Sequence, residues 1–334
     1  MQRSETADIE MESRPMTKNA TGALFAAGML RGANFLFVGL LVQQIAASEV
    51  VAGRLGFAAV AAVGFLMVHG SPSRLRAETI KAASLLATLD TVVPYTLLAF
   101  AQTRIDSGLA AVLATTAPLF TMVTAAALAR DERLSIVRFG GLILGLLGVI
   151  VLTGGGVLAI TEGDGTAIGA VMLASITYGG SIVYARKLLL DHDPVTLTAV
   201  KLSSGAIQAF LLMVVLEGMP GYGSLTREGW LFLVMLGAAG TGAAYFLHFW
   251  AVARVGSVRG SIVTYISPPA SMLLGWLILG ETLTIPMFLG LALIAGGVAT
   301  VMFAPSIEWR LKKAWCAVPA RSSTSCRVAF PVAA

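Results

Sequence analysis

The sequence predicts an all-α polytopic membrane protein of ten transmembrane helices, arranged as two inverted five-helix repeats. Three observations support this prediction: a composition too apolar for water, a series of apolar runs of spanning length, and a similarity between the two halves of the chain. Of the 334 residues, 57% are hydrophobic and 12% are charged. Soluble domains carry about 25% charged residues, so lipid is the solvent for most of this chain.

The apolar runs have the length that a membrane span needs. A helix crosses roughly 30 Å of hydrocarbon with about 20 residues, because it rises 1.5 Å per residue. Helices are required because lipid cannot hydrogen-bond free backbone groups. The predicted spans are residues 20–42, 48–69, 80–101, 107–129, 136–153, 166–186, 194–216, 229–252, 258–279 and 284–304.

These runs divide the chain into five parts. Residues 20–153 and 166–304 each hold five predicted spans, and residues 154–165 link them as a periplasmic loop. Residues 1–19 are polar and lack the apolar core of a signal peptide, so we expect a disordered cytoplasmic leader. Residues 305–334 hold both cysteines and are expected to form a basic cytoplasmic tail.

The distribution of positive charge orients the predicted bundle. Eighteen of the 23 Lys and Arg residues lie on the side assigned to the cytoplasm, and only Arg104 and Arg227 lie on the other side. This bias follows the positive-inside rule. It predicts a multi-pass protein of the bacterial inner (plasma) membrane with both termini cytoplasmic. The net charge of +5 is spread over short loops, so the expected partners are the lipid bilayer and a small molecule, and no nucleic acid. Monomer and homodimer stay open.

The two halves resemble each other at fixed offsets. A shift of 150 residues gives seven identities in a stretch of 29 gapless positions, among them Tyr95 with Tyr245. A shift of 147 residues aligns the fronts of the halves and pairs Arg54 with Lys201. Each half holds five spans, an odd number, so the second half is upside down relative to the first. Inverted repeats of this kind are typical of secondary transporters.

The second half carries the most specific sequence pattern. Its segments are Gly240-Thr241-Gly242 before Tyr245, Ala251 to Ser257, Tyr265-Ile266-Ser267-Pro268, and Leu277 to Thr284. With these segments, residues 20–304 resemble the drug/metabolite transporter superfamily, in particular its EamA-type ten-helix members. The resemblance implies export of an amino acid, a metabolite or a drug-like compound. The family tends to carry Trp-Gly where this chain has Arg31-Gly32 and Tyr178-Gly179.

Two charged residues fall near the middle of predicted spans, Arg31 in the first and Asp90 in the third. Charge at this depth costs several kcal/mol and marks a functional candidate. One hypothesis is that Arg31 binds the carboxylate and Asp90 the ammonium of a zwitterionic solute, or that Asp90 is a protonatable coupling group. The alternative is an ion pair that locks the first span to the third. Asn34 and its repeat mate Ser181 are candidates for hydrogen bonds to solute or between helices.

Four further residues have weaker assignments. Arg54 and Lys201 lie near the ends of the second and seventh spans, where they would serve as gate or vestibule charges or, as we favour, snorkel to lipid headgroups. His248 in the eighth span is expected to be a packing residue rather than a proton relay. Tyr265, in the middle of the ninth span, is the aromatic residue expected nearest a central cavity.

Sequence patterns for catalysis are missing. The chain has no His-Glu-x-x-His motif, no phosphate-binding loop and no metal-ligand spacing, so we expect no enzyme activity, no cofactor and no bound metal. Without a nucleotide-binding motif, the energy for export must come from an ion gradient, an exchanged solute or the substrate gradient. The alternatives are an intramembrane enzyme acting on a lipid or isoprenoid, and a non-transporting scaffold.

Overall fold

The structure, a computed structural model, describes residues 18–69, 77–105, 110, 113–128, 136–152, 165–218, 220–270 and 285–316. The described part of the chain is helical and contains no β-strand. Its helices are α1 (Lys18–Gly32 and, after a turn at Ala33, Asn34–Leu41), α2 (Ala47–His69), α3 (Ala77–Gln102), α4 (Ala117–Leu128), α5 (Ile136–Leu152), α6 (Gly165–Asp191), α7 (Pro194–Glu217), α8 (Arg227–Val255), α9 (Ser257–Gly260, with residues 263–270 also helical) and α10 (Ile285–Cys316).

The prediction of an all-α membrane protein is confirmed. Six described helices are long and apolar enough to cross a membrane, namely α1, α2, α3, α6, α7 and α8. Shorter apolar stretches of 10–17 residues lie in α4, α5 and α10. The number of ten spans stays a prediction, because parts of the fourth and ninth predicted spans lie outside the described residues.

The predicted ends of the chain are described only in part. Residues 1–17 of the expected leader, the linker after residue 152 up to residue 164, and the tail from residue 317 lie outside the described residues. The last helix, however, continues to Cys316. The expected end of the final span at residue 304 lies within this helix.

The outer surface of the bundle is apolar. Val60 is 71% exposed, Met67 81% and Val215 80%, and each lies in a helix of spanning length. Large apolar side chains at such exposure would be costly in water but match lipid tails. Three charged residues of these helices, Arg54, Asp90 and Lys201, are in contrast buried.

Helices from the two halves pack against each other in matched pairs. α2 packs along α7, and α5 packs along α10. α1 packs on α8, and α6 packs on α3. Small residues permit the closest of these approaches: a Cβ on Gly148 of α5 would lie 2.6 Å from the backbone nitrogen of Ile294 in α10. Close backbone contact of this kind replaces the hydrophobic driving force that lipid does not supply.

Two of the spanning helices change their hydrogen-bond pattern in the middle. α3 is π-helical over Thr88–Val92, and α8 is π-helical over Met235–Ala243. In α3 the cause is local: Pro94 has no N–H to bond the carbonyl of Asp90 four residues earlier. Such π-segments often occur at functional sites. They turn Asp90 and Gly240, which lie 150 residues apart, toward the centre of the bundle.

Described residues of the loop between α7 and α8 are hydrogen-bonded to the start of α2. The Oη of Tyr222 donates a hydrogen bond to the carbonyl of Glu49 at 2.9 Å. The Glu49 carboxylate accepts from the backbone nitrogens of Ala46, at 2.9 Å, and Gly221. These bonds pair a free backbone N–H at the start of α2 and hold the loop against that helix end.

Candidate binding site in the helix bundle

A cavity of ≈ 100 Å³ lies between α1, α2, α3, α4, α6, α8 and α9. This volume is several times the ~10–15 Å³ that one water molecule needs. Much of its wall is apolar, as is usual for small-molecule sites. The described ionisable side chains in the wall are Arg31, Arg54, Asp90, Tyr95, Tyr178 and His248.

Asp90 is held on all sides by other helices. The Oγ of Ser181 in α6 donates to its Oδ1 at 2.9 Å, and the Nζ of Lys201 in α7 pairs with its Oδ2. The carbonyl that Pro94 leaves free accepts a hydrogen bond from the Oη of Tyr245 at 3.0 Å. Both carboxylate oxygens are therefore occupied by protein groups.

Lys201 is the counter-charge of Asp90. Lys201 is fully buried, and its Nζ lies 3.2 Å from the centre of the Tyr245 ring and 4.7 Å from the centre of the Phe249 ring. The sequence left open an ion pair between Arg31 and Asp90 and favoured snorkelling of Lys201 to a headgroup. Both are wrong, because the π-segment turns Asp90 toward α7, where it pairs with the buried Lys201. The ion pair locks α3 to α7 rather than to α1.

Arg54 lies in the cavity wall and not at a headgroup. It is 6% exposed, its Nε donates to Thr241 Oγ1 at 2.7 Å, and its guanidinium carbon lies 3.6 Å from the centre of the Tyr95 ring. No carboxylate among the described residues forms a salt bridge with it. The predicted snorkelling is therefore wrong for Arg54 as well.

Arg31 and Asn34 flank the turn that interrupts α1 at Ala33. The guanidinium carbon of Arg31 lies 4.5 Å from the centre of the Tyr245 ring, and its Nη2 is enclosed without a hydrogen-bond partner among the described residues. The Asn34 amide nitrogen donates to the carbonyl of Gly240 at 3.0 Å, and its Oδ1 is likewise buried without a partner. Both side chains thus keep unused hydrogen-bonding capacity at the cavity.

Two contacts of the site recur with the halves exchanged. At offsets of 147 and 150 residues, the contact of Asn34 with Gly240 corresponds to that of Ser181 with Asp90, and the contact of Arg54 with Tyr95 corresponds to that of Lys201 with Tyr245. The polar partners of the two cations are not repeat mates, because Arg54 bonds Thr241, the mate of Thr91, whereas Lys201 pairs with Asp90, the mate of Gly240. Two repeat mates also touch each other, since the hydroxyls of Tyr95 and Tyr245 are 3.4 Å apart. The second half supplies a glycine where the first supplies the carboxylate.

The remaining two predicted residues differ in position. His248 lines the cavity, and its Nε2 lies 3.1 Å from the carbonyl of Gly260, which can only accept a hydrogen bond. Tyr265 is buried but does not line the cavity. Its hydroxyl donates to the carbonyl of Leu142 in α5 at 2.8 Å, so Ser267 and other small polar residues of α9 face the cavity instead.

Sequence analysis did not identify Tyr95, Tyr178 and Tyr245 as residues of the site. The Tyr95 and Tyr178 rings, whose centres are 6.2 Å apart, both line the cavity. The signal for Tyr95 and Tyr245 was their identity at the 150-residue offset. Thr241 also matches Thr91 at this offset, but its role as the acceptor for Arg54 was not identified from sequence.

Comparison with known proteins identifies the family of this bundle. The EamA-like transporter family model matches residues 20–154 and 165–303, the same two halves that repeat the contacts above. The chain belongs to the EamA-like transporter family. This membership confirms the resemblance on which the expectation of transport rested.

Relatives of this family member carry transporter names. The uncharacterized transporter YoaV of Bacillus subtilis is 24% identical over 73% of this chain and 83% of its own length. The uncharacterized inner membrane transporter YedA of Escherichia coli is 25% identical over 84% of this chain and 89% of its own length. A solved crystal structure superposes with a TM-score of 0.71 at 17% identity, covering 86% of this chain and 97% of the other. At this identity, that superposition supports the fold alone.

Proposed function

We propose that this protein is a secondary transporter that exports a small organic solute across the bacterial inner membrane by alternating access. The observation that carries the proposal is the cavity, whose wall combines Arg31, Arg54 and Asp90 with side chains from both halves. Ionised groups inside a membrane bundle are expensive, and they persist where a pathway or a binding site needs them.

We further propose that the bundle has ten spans in two inverted repeats, with both termini in the cytoplasm. The matched packing of α1 on α8 and α6 on α3 supports the repeat, because exchanging the halves exchanges these two pairs. The contact between the repeat mates Tyr95 and Tyr245 supports a pseudo-twofold axis at the cavity. A site on such an axis is reached from either side when the two halves swap conformations.

Within this site we assign separate roles. Arg31, Asn34 and Arg54 contact the solute, because each lines the cavity and keeps donors or acceptors that the protein does not use. Asp90 and Lys201 form the buried pair that ties α3 to α7, with Ser181 completing the carboxylate's hydrogen bonds. Arg31 and Arg54, which lie on the Tyr245 and Tyr95 rings, are therefore the charged groups that bind the solute.

Solute counterflow in proteoliposomes tests the proposal. Vesicles with the purified protein are loaded with one member of a panel of organic acids, amino acids, amines and nucleobases, and uptake of the same labelled solute is measured. We expect accelerated exchange for one class, and its loss in Arg31→Ala. The matched control is Arg254→Ala, since Arg254 stacks on Trp250 at 3.7 Å but does not line the cavity. Folded protein that exchanges no member of the panel would overturn the proposal.

A further inference from the structure

The charges at the cavity do not balance among the described residues. Asp90 is the carboxylate in the wall, and Lys201 already pairs with it. Arg31 and Arg54 remain, and neither forms a salt bridge with a described carboxylate. The site therefore carries two guanidinium charges beyond the neutral pair.

Both arginines also keep guanidinium N–H donors that the described protein does not use. Arg54 uses only its Nε within the described protein, for Thr241, and its terminal nitrogens have no described hydrogen-bond partner. The Nη2 of Arg31 is enclosed and also without a partner. The guanidinium groups of Arg54 and Arg31 lie on the rings of Tyr95 and Tyr245, whose hydroxyls are 3.4 Å apart, and both arginines line the same cavity.

An ammonium group in this cavity would meet a carboxylate that the protein already neutralises. The carboxylate that would bind it is Asp90, whose Oδ1 accepts from Ser181 and whose Oδ2 pairs with Lys201. A zwitterionic or cationic solute would also bring its positive charge toward two arginines in a low-dielectric site, where like-charge repulsion is strong. The earlier hypothesis of a zwitterion held between Arg31 and Asp90 is thereby disfavoured.

We propose that the solute of this site is a small organic anion, whose acidic group binds the guanidinium groups of Arg54 and Arg31 and which needs no amino group. This inference rests on the proposed transport function for its physiological meaning. Guanidinium groups bind carboxylates through paired, charge-assisted hydrogen bonds. The apolar wall, which includes Val50, Val51 and Leu98, takes the alkyl body of the acid.

Binding by matched solutes tests this inference. The shift of the thermal unfolding midpoint of the detergent-purified protein is measured with carboxylic and dicarboxylic acids of two to six carbons, and with the ω-amino acids and diamines of the same chain lengths. We expect at least one acid to stabilise the protein, its ω-amino analogue to act more weakly, and the diamine to have no effect. Stronger stabilisation by an amine or amino acid, or no effect of any acid, overturns the inference.

Four variants assign the effect to the arginine charge. Arg54→Gln is expected to weaken acid binding by about tenfold to hundredfold, the range of a lost charged hydrogen bond. Arg54→Lys is expected to retain part of the affinity, because it keeps the positive charge but loses the paired donors of the guanidinium. Thr241→Asp should weaken binding as strongly as Arg54→Gln, since it gives Arg54 a carboxylate within the protein. Arg254→Gln, outside the cavity, should have no effect.

These results separate the anion site from the transport function. Counterflow of an amine or a neutral solute, with no binding of acids, overturns the anion inference and leaves transport standing. Acid binding that depends on Arg54, without flux of any member of the panel in proteoliposomes, supports the anion site and overturns transport. Equal loss of acid binding in Arg54→Gln and Arg254→Gln shows a general charge effect and also overturns the inference.

Discussion

Breaking the pair between Asp90 and Lys201 is expected to destabilise the fold severely. Asp90→Asn leaves the Lys201 ammonium with no exposed surface and without a counter-charge, beside a neutral amide and the Tyr245 and Phe249 rings. Removal of one member of a buried ion pair typically costs about 3–5 kcal/mol, because the other charge stays buried and uncompensated. The cation–π contact with Tyr245 offsets about 2 kcal/mol of this cost.

A double-mutant cycle measures how much of this loss belongs to the pair. The cycle consists of Asp90→Asn, Lys201→Met and the double variant, each unfolded by denaturant titration in detergent micelles. Met keeps the length of the lysine stem and packs well on aromatic rings. Because the double variant buries no unpaired charge, we expect it to recover at least about 2 kcal/mol relative to the sum of the single losses.

Two results would contradict this reasoning. One is a loss below about 1 kcal/mol in Asp90→Asn, which would mean that water or another group compensates Lys201. The other is a double variant whose loss equals the sum of the single losses, which would mean that the two groups do not interact. The double variant also keeps the net charge of the cavity, so binding of acids should survive in it.

Three further predictions concern helix packing and the loop between α7 and α8. Gly148→Ala should cost about 1–3 kcal/mol, because its Cβ would lie 2.6 Å from a backbone nitrogen of α10, whereas Gly140→Ala on the same helix meets no atom within 4 Å and should be tolerated; equal denaturation midpoints would contradict this. Tyr265→Phe should lower the free energy of unfolding by about 1 kcal/mol, because it removes the hydrogen bond to α5, and should leave solute flux unchanged. A loss of flux at unchanged stability would contradict this and indicate that Tyr265 contacts the solute. Burial, and then the charge of Glu49, raises the pKa of Tyr222 to about 12 from its ordinary value near 10. The protonated phenol therefore stabilises the fold below pH ~10, and this contribution should fade as pH rises toward ~12 in the wild type but not in Tyr222→Phe; parallel pH profiles of the melting temperature would refute it.

The helices could be predicted from sequence because their signal is local. Apolar runs of spanning length gave the start of α5 and α7 at residues 136 and 194, and both helices begin there in the structure. The repeat offsets also paired Arg54 with Lys201 and Tyr95 with Tyr245 correctly as mates, since they make matching contacts. The inverted orientation of the halves stays a prediction.

The partners inside the site could not be predicted, because they depend on rotation of helices about their axes. Lys201 lies near a span end in sequence, which favoured snorkelling, yet the side chain points to Asp90. The deciding feature is the π-segment Thr88–Val92, which shifts the face that α3 presents to α7. Pro94 was a visible cue for a distortion there, but its direction is set by the packing of neighbouring helices.

Access to the cavity from both sides of the membrane tests the central claim of an alternating transporter most directly. Ser267→Cys places a thiol of nearly the same size in the cavity wall, in a background where Cys316 and Cys326 are replaced by Ser. The measurement is the rate of labelling by a membrane-impermeant thiol reagent, applied from either face of oriented vesicles. We predict labelling from both faces, with saturating solute slowing both rates. Labelling from one face alone, with and without solute, would contradict alternating access.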